Sequence, residues 1–130
     1  MIHKKLTLSL IPRSFAVCRL SPDSEIPQWA IRSAFYSVMK TPEELTVVCV
    51  EGNVPEGVKS EREWKVLQIE GSFDFSLTGI ISSLAYPLAK ADISIFVLST
   101  YDTDCIMVKQ NSLKKAISVL TAAGHRVNDS

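Results

Sequence analysis

One stretch of this chain leaves few folds open. Ile93, Ile95 and Val97 alternate with Ser94, Phe96 and Leu98, and the run breaks into Ser99-Thr100-Tyr101-Asp102-Thr103-Asp104 before a second apolar segment, Cys105 to Lys109. The period of two and the polar turn predict two strands, the first buried on both faces. Upstream, Ile81, Leu84, Leu88 and Ala91 share one face of a helix. Pro87 falls inside that pattern, where its missing N–H removes a backbone bond and predicts a kink near Ser83. Downstream, Asn111 or Ser112 is placed to cap a last helix with Leu113, Ala116, Ile117 and Leu120 as its stripe. Gly124 is placed to end it in the left-handed conformation, and His125 to Val127 reads as a short strand. With a strand at Trp64 to Ile69 and a loop at Phe73 to Leu77, the second half spells βαββαβ. This is a ferredoxin-like α+β unit, an antiparallel sheet with two helices on one face.

The first half is richer in strands. Leu6, Leu8 and Leu10 alternate with Thr7 and Ser9, and Pro12 with Arg13 punctuate the end of that strand. Phe15 to Leu20 is a second apolar run. Pro22, Asp23, Ser24 and Pro27 interrupt it, leaving only a helical turn at Ile26 to Ala30. Ser33 to Met39 and Leu45 to Val50 read as two further strands joined by Thr41-Pro42-Glu43-Glu44. Glu51 to Glu63 mixes glycine, proline and charge without apolar periodicity, so the expected boundary lies there, dividing the chain into residues 1–60 and 61–130.

The charge balance narrows the function. Fourteen Lys and Arg meet 14 Asp and Glu, leaving no net field to gather nucleic acid or anionic lipid. The apolar runs are too short to span a bilayer. An RNA-binding sheet of this topology wants aromatics on its central strands, and Lys65, Gln68 and Ile106 to Val108 supply none. Cys18, Cys49 and Cys105 are odd in number, widely spaced and apolar in setting, which predicts buried reduced thiols and a cytoplasmic protein. The N-terminal segment carries no export signal. His3 and His125 have no visible Ser, Cys or Asp partner and read as surface residues. No metal-spaced cysteine pair, phosphate loop or dinucleotide fingerprint occurs, so neither a metal nor a cofactor is expected, and no catalytic residue is assigned.

Two loops at one end of the second unit carry what chemistry there is. Asp74 to Ile80 precedes a helix whose free N–H groups and positive dipole end suit a carboxylate, and Gly79 leaves room for close approach. Thr100 to Asp104 offers hydroxyls and carboxylates that suit an ammonium or guanidinium group. A purely structural reading stands beside this: Thr78 caps the helix, Asp102 and Asp104 hold a β-turn, and Tyr101 covers an edge.

The words Phe75-Ser76-Leu77-Thr78-Gly79-Ile80, Pro87-Leu88-Ala89-Lys90-Ala91-Asp92-Ile93-Ser94-Ile95-Phe96 and Ser99-Thr100-Tyr101-Asp102-Thr103-Asp104 resemble an ACT domain. The resemblance is closest to small stand-alone tandem ACT proteins related to the regulatory ends of aspartate kinases and to animal cytosolic arginine sensors. It implies that the first half is a shortened, divergent copy of the unit. It also implies a non-catalytic regulatory or sensor module that binds a small molecule, an amino acid, and forms a homodimer. Family effectors bind after the first strand of the unit and in the adjoining interface. Carried onto this chain, that implicates Phe75, Ser76, Leu77, Thr78, Gly79 and Ile80, with Thr100, Tyr101, Asp102 and Thr103. Asp92 stands where relatives commonly have Gly, a change a left-handed turn tolerates. Cys105 stands where an aromatic residue is frequent, which mildly favours the alternative of a structural protein–protein interaction module without ligand.

Overall fold

The computed structural model describes residues 5–71 and 78–129. Along the chain run β1 (Thr7–Leu10), β2 (Phe15–Leu20), a 3-10 turn at Gln28–Ile31, β3 (Ser37–Lys40), β4 (Leu45–Val50), a second 3-10 turn at Glu51–Asn53 and β5 (Ser60–Ile69). Then follow α1 (Ile80–Lys90), β6 (Phe96–Ser99), β7 (Asp104–Lys109), α2 (Leu113–Ala122) and β8 (Arg126–Asn128). The class is the expected α+β. The polypeptide forms two compact units, one of residues 1–12 with 65–130 and one of residues 13–64. Strand β1 therefore belongs with the C-terminal unit, whereas the sequence expectation placed it in an N-terminal unit of residues 1–60.

In the first of these units the strand order is β6-β7-β5-β1-β8. Strand β1 lies between β5 and β8, antiparallel to β5 through Leu8↔Ile69 and Ser9↔Gln68, and parallel to β8 through Leu8↔Val127. Alternation then separates two faces. Leu6, Leu8, Leu67, Ile69, Ile106 and Val108 point to one side, where they pack with Ile80, Leu84 and Leu88 of α1 and Ala116 and Leu120 of α2. Ser9, Gln68 and Glu70 take the other face.

Pro87 sits inside α1 as the spacing requires. Asp92, at φ +61, ends this helix: its N–H reaches the Ala89 carbonyl and the Ile93 N–H reaches that of Leu88. That is the paired closure of a left-handed helix stop, with Ile93 buried against the core as its apolar clasp. Gly124, at φ +100, does the same for α2 through Gly124 N–H to Thr121 and His125 N–H to Leu120. Because the stop uses Asp92 and Ile93, β6 begins at Phe96 rather than at Ile93. Among the described residues β6 pairs with β7 alone, and Val97 is 38% exposed, so this strand is an edge and not one buried on both faces. The N-terminus of α2 is preceded by a 3-10 turn at Gln110–Ser112, and Ser112 makes no capping bond to the helix.

The second unit orders its strands β3-β4-β2, with β2 also pairing with the start of β5 through Cys18↔Ser60 and Val17↔Glu61. The expected strand from Ser33 shrinks to Ser37–Lys40, and β5 begins inside the segment expected to be a linker. Ala16, Cys18, Ala30, Val47, Cys49 and Val54 form the apolar cluster, and Phe35 meets Phe15 edge to face with ring centroids 5.2 Å apart. The three cysteines are buried free thiols, as their apolar settings predict. Cys18 and Cys49 hydrogen-bond to each other, and that bond together with burial pushes the Cys18 thiol far above its ordinary range.

Candidate functional site

Phe75, Ser76 and Leu77 lie outside the described residues. Thr78 is exposed and does not cap α1; the cap is Gly79, in the left-handed conformation at φ +84. Glycine takes this conformation without the Cβ clash that other residues suffer. Its carbonyl is held from three sides, by the Ser83 N–H at 3.0 Å, the Ser83 hydroxyl at 2.6 Å and the Ser82 hydroxyl at 3.2 Å. The Ser83 N–H makes the first helical bond, so the N–H groups of Ile80, Ile81 and Ser82 precede the helical ladder and have no acceptor within it. A Cβ built on Gly79 would touch only the Ser82 hydroxyl, at 3.9 Å, so the approach to this helix start is open among the described residues.

The second implicated segment is the tight turn between β6 and β7. Its closure is the Thr100 N–H to Thr103 carbonyl bond at 2.8 Å. The Thr100 hydroxyl donates to the Thr103 carbonyl and accepts from the Thr103 N–H, both at 3.1 Å, while the Ser99 hydroxyl donates to Asp104 at 2.5 Å. Thr103 sends its own hydroxyl to the Ile69 carbonyl at 2.9 Å, which pins the turn to the end of β5. Thr100 and Thr103 thus supply turn-holding bonds beside the one that Asp104 accepts from Ser99, as the structural reading expected of Asp104. Tyr101 is 81% exposed, standing out in solvent rather than covering an edge.

Pinning the turn there brings Asp102 and Thr103 beside Ser9, Gln68, Ile69, Glu70 and Gly71 around an open cavity of about 350 Å³. Glu70 escaped the sequence reading. Its carboxylate takes the Ser9 hydroxyl and, at 2.9 Å, the Asn128 amide, both on Oε2. These two donors, aided by nearby Arg126, hold the carboxyl below its ordinary range. The signal in the sequence was the alternation that puts residues 9, 68 and 70 on the face away from the helices. Thr78, Gly79 and Ile80 do not line this cavity.

Behind the site lies a second feature that the sequence reading missed. His125, expected at the surface, is 6% exposed. Its Nδ1 accepts the Leu6 N–H at 3.0 Å, and its Nε2 lies 3.0 Å from the Ser83 carbonyl. A backbone N–H can only donate, so Nδ1 is the bare nitrogen and Nε2 carries the proton that goes to Ser83. Among the described residues no three or more His, Cys, Asp or Glu gather to hold a metal, and no helix is long and apolar enough to cross a membrane.

Comparison with known proteins fits this architecture. The ACT domain family matches residues 59–122, and a family described as an N-terminal domain matches residues 13–57. The rat cytosolic arginine sensor for mTORC1 subunit 1 is 32% identical over 99 residues, covering 68% of this chain and 30% of the sensor. The human protein CASTOR3P is 37% identical over 95 residues, covering 63% of this chain and 58% of that protein, so the chain spans under two thirds of either curated relative. A crystal structure of an Agobacterium tumefaciens protein superposes with a TM-score of 0.93 at 35% identity, covering 98% of this chain and 95% of that one. The ligand-free regulatory subunit of aspartate kinase from Thermus thermophilus shares the fold, with a TM-score of 0.62 at 12% identity over 92% of this chain and 99% of that one. Residues 59–122 of this chain belong to the ACT-domain family, with sequence similarity to the cytosolic arginine sensors and the fold of an aspartate kinase regulatory subunit.

Proposed function

We propose that this chain is a non-catalytic regulatory module of the cytoplasm that binds an amino acid and acts as a homodimer. The observation that carries the reading is the bond from the Thr103 hydroxyl to the Ile69 carbonyl, which gathers the β6–β7 turn to the end of β5 beside an open polar cavity. The start of α1, with three N–H groups before its ladder and a glycine at the cap, suits the carboxylate of such a ligand. Asp102 and Glu70, around the separate cavity, suit an ammonium or guanidinium group. Kinship with a protein named as an arginine sensor supports an amino acid as the ligand class. Phe75, Ser76, Leu77, Thr78, Gly79 and Ile80, with Thr100, Tyr101, Asp102 and Thr103, are the proposed contact residues.

A ligand that binds only the folded form stabilises it by about 2.7 kcal/mol at a hundred times its Kd. A thermal-shift screen against the twenty amino acids therefore tests the reading. One amino acid should raise the melting temperature, and substitution of Thr78 and Gly79 should abolish the rise. A folded protein indifferent to all twenty at millimolar concentration overturns it. That result favours the second reading, an interaction module without ligand, which the use of the Thr100 and Thr103 hydroxyls within the fold and the exposure of Tyr101 support.

A further inference from the structure

Strand β1 fills a slot between β5 and β8, and Leu6 and Leu8 sit in the apolar core of that unit. Its link to β2 is short: the last ladder bond joins the Ile11 N–H to the Val66 carbonyl, and β2 starts at Phe15. Within this link stands Pro12, followed by Arg13 at φ +91. Arginine has a Cβ that clashes in this region, so the link holds backbone strain where a glycine would hold none. A short strained hinge next to a strand that completes a sheet is the arrangement that favours exchange of that strand between identical chains. An extended hinge relaxes Arg13, while every pair β1 makes is remade in the other copy.

We propose that β1 is an exchangeable strand, and that two copies of this chain form a dimer in which β1 of each completes the sheet of the other. The partner copy then brings Ser9 to the cavity, because its hydroxyl is one of the two donors on Glu70. It also brings the Leu6 N–H to His125. Dimer formation and the form of the cavity are coupled through these two contacts. Exchange of β1 gives a structural form to the homodimer proposed above and does not depend on whether an amino acid binds.

The test uses the direct partners Ser9 and Gln68. Opposed residues on neighbouring antiparallel strands lie about 5.5 Å apart at Cα, within disulfide range. Full-length Ser9→Cys and Gln68→Cys chains are mixed, unfolded, refolded together at high concentration and oxidised mildly. The expected product is a covalent dimer joined between position 9 of one chain and position 68 of the other, identified by peptide mass. The double variant Ser9→Cys/Gln68→Cys shows by its own cross-link that the geometry admits the bond. Arg13→Gly, which removes the hinge strain, should lower the dimer fraction in light scattering by about tenfold. A double variant that cross-links only within one chain, with no mixed disulfide, overturns the proposal even if a dimer forms by surface contact. An Arg13→Gly protein with an unchanged dimer fraction overturns the role of the hinge.

Discussion

The imidazole of His125 donates from Nε2 to the carbonyl of Ser83 at 3.0 Å, and that carbonyl is the one Pro87 leaves without its helical N–H. Proline removes a bond from within α1, and a side chain from beyond the end of α2 replaces it. The replacement explains how a proline in the last turn of the helix is tolerated with Ser83 buried.

His125→Ala should therefore leave two buried backbone groups, the Leu6 N–H and the Ser83 carbonyl, without partners. The expected loss is about 3 kcal/mol, read by chemical denaturation. Pro87→Ala restores an N–H that can serve Ser83. In that background His125→Ala should cost measurably less, so the double-mutant cycle should show coupling of about 1 kcal/mol. Strict additivity would mean that His125 acts through Leu6 alone. Nitrogen NMR should show the neutral ring as the tautomer with Nδ1 bare and Nε2 protonated.

The helix itself was legible because Ile81, Leu84, Leu88 and Ala91 keep their spacing across Pro87. The partner for the freed carbonyl was not, because His125 stands 42 positions away and a lone histidine carries no periodicity. The same limit governs the strands. Alternation at Leu6, Leu8 and Leu10 declares a strand but says nothing of its neighbours, so the place of β1 between β5 and β8 emerged only from the ladder. The turn from Ser99 to Asp104 was visible as a polar break between apolar runs. That the Thr103 hydroxyl is used by the fold depends on Ile69, which lies in a different strand.

The two helix stops make a matched pair for substitution. Asp92 holds φ +61 with a Cβ, and Gly124 holds φ +100 without one. Asp92→Gly should raise stability slightly, by up to about 1 kcal/mol, because strain is removed while the closing bonds stay. Gly124→Ala should lower it by about 1 kcal/mol. The new methyl would meet the Lys5 side chain no nearer than 3.5 Å, an ordinary contact, so the loss comes from the backbone. Melting temperatures of the two variants should move in opposite directions.

Glu70 sets part of the acid response. Its carboxyl is held below the ordinary range first by the Ser9 hydroxyl, then by the Asn128 amide, with Arg126 adding a smaller pull. A depressed value means that the folded state favours the carboxylate. The stabilisation is present above the carboxyl value of the unfolded chain and is lost as pH falls through the lower folded one. Glu70→Gln should flatten the stability curve where pH falls below the ordinary carboxyl value of 4.5 while leaving the neutral-to-alkaline side unaltered. Asn128→Ala should flatten it less, because Ser9 still donates. A Glu70→Gln variant that keeps the acid slope of the parent would show that the two donors do not act on Glu70 in solution.

Cys105 tests the opposite limb. Burial in β7 pushes its thiol from 9.0 up to about 11, with the adjacent Asp104 carboxylate adding to the rise. The raised value means that the folded state disfavours the thiolate. At pH 8 the thiolate population of the folded protein should thus be about a hundredfold below that of an ordinary thiol, and alkylation correspondingly slow. Stability tied to the neutral thiol is complete below pH 9 and is lost as pH rises through about 11. Cys105→Ala should remove that alkaline loss while lowering stability at neutral pH, because a side chain 1% exposed leaves a small cavity. Asp104→Asn separates the two causes. If burial dominates, the alkylation rate at pH 8 should rise only modestly in that variant, whereas a rise approaching a hundredfold would assign the shift to the carboxylate.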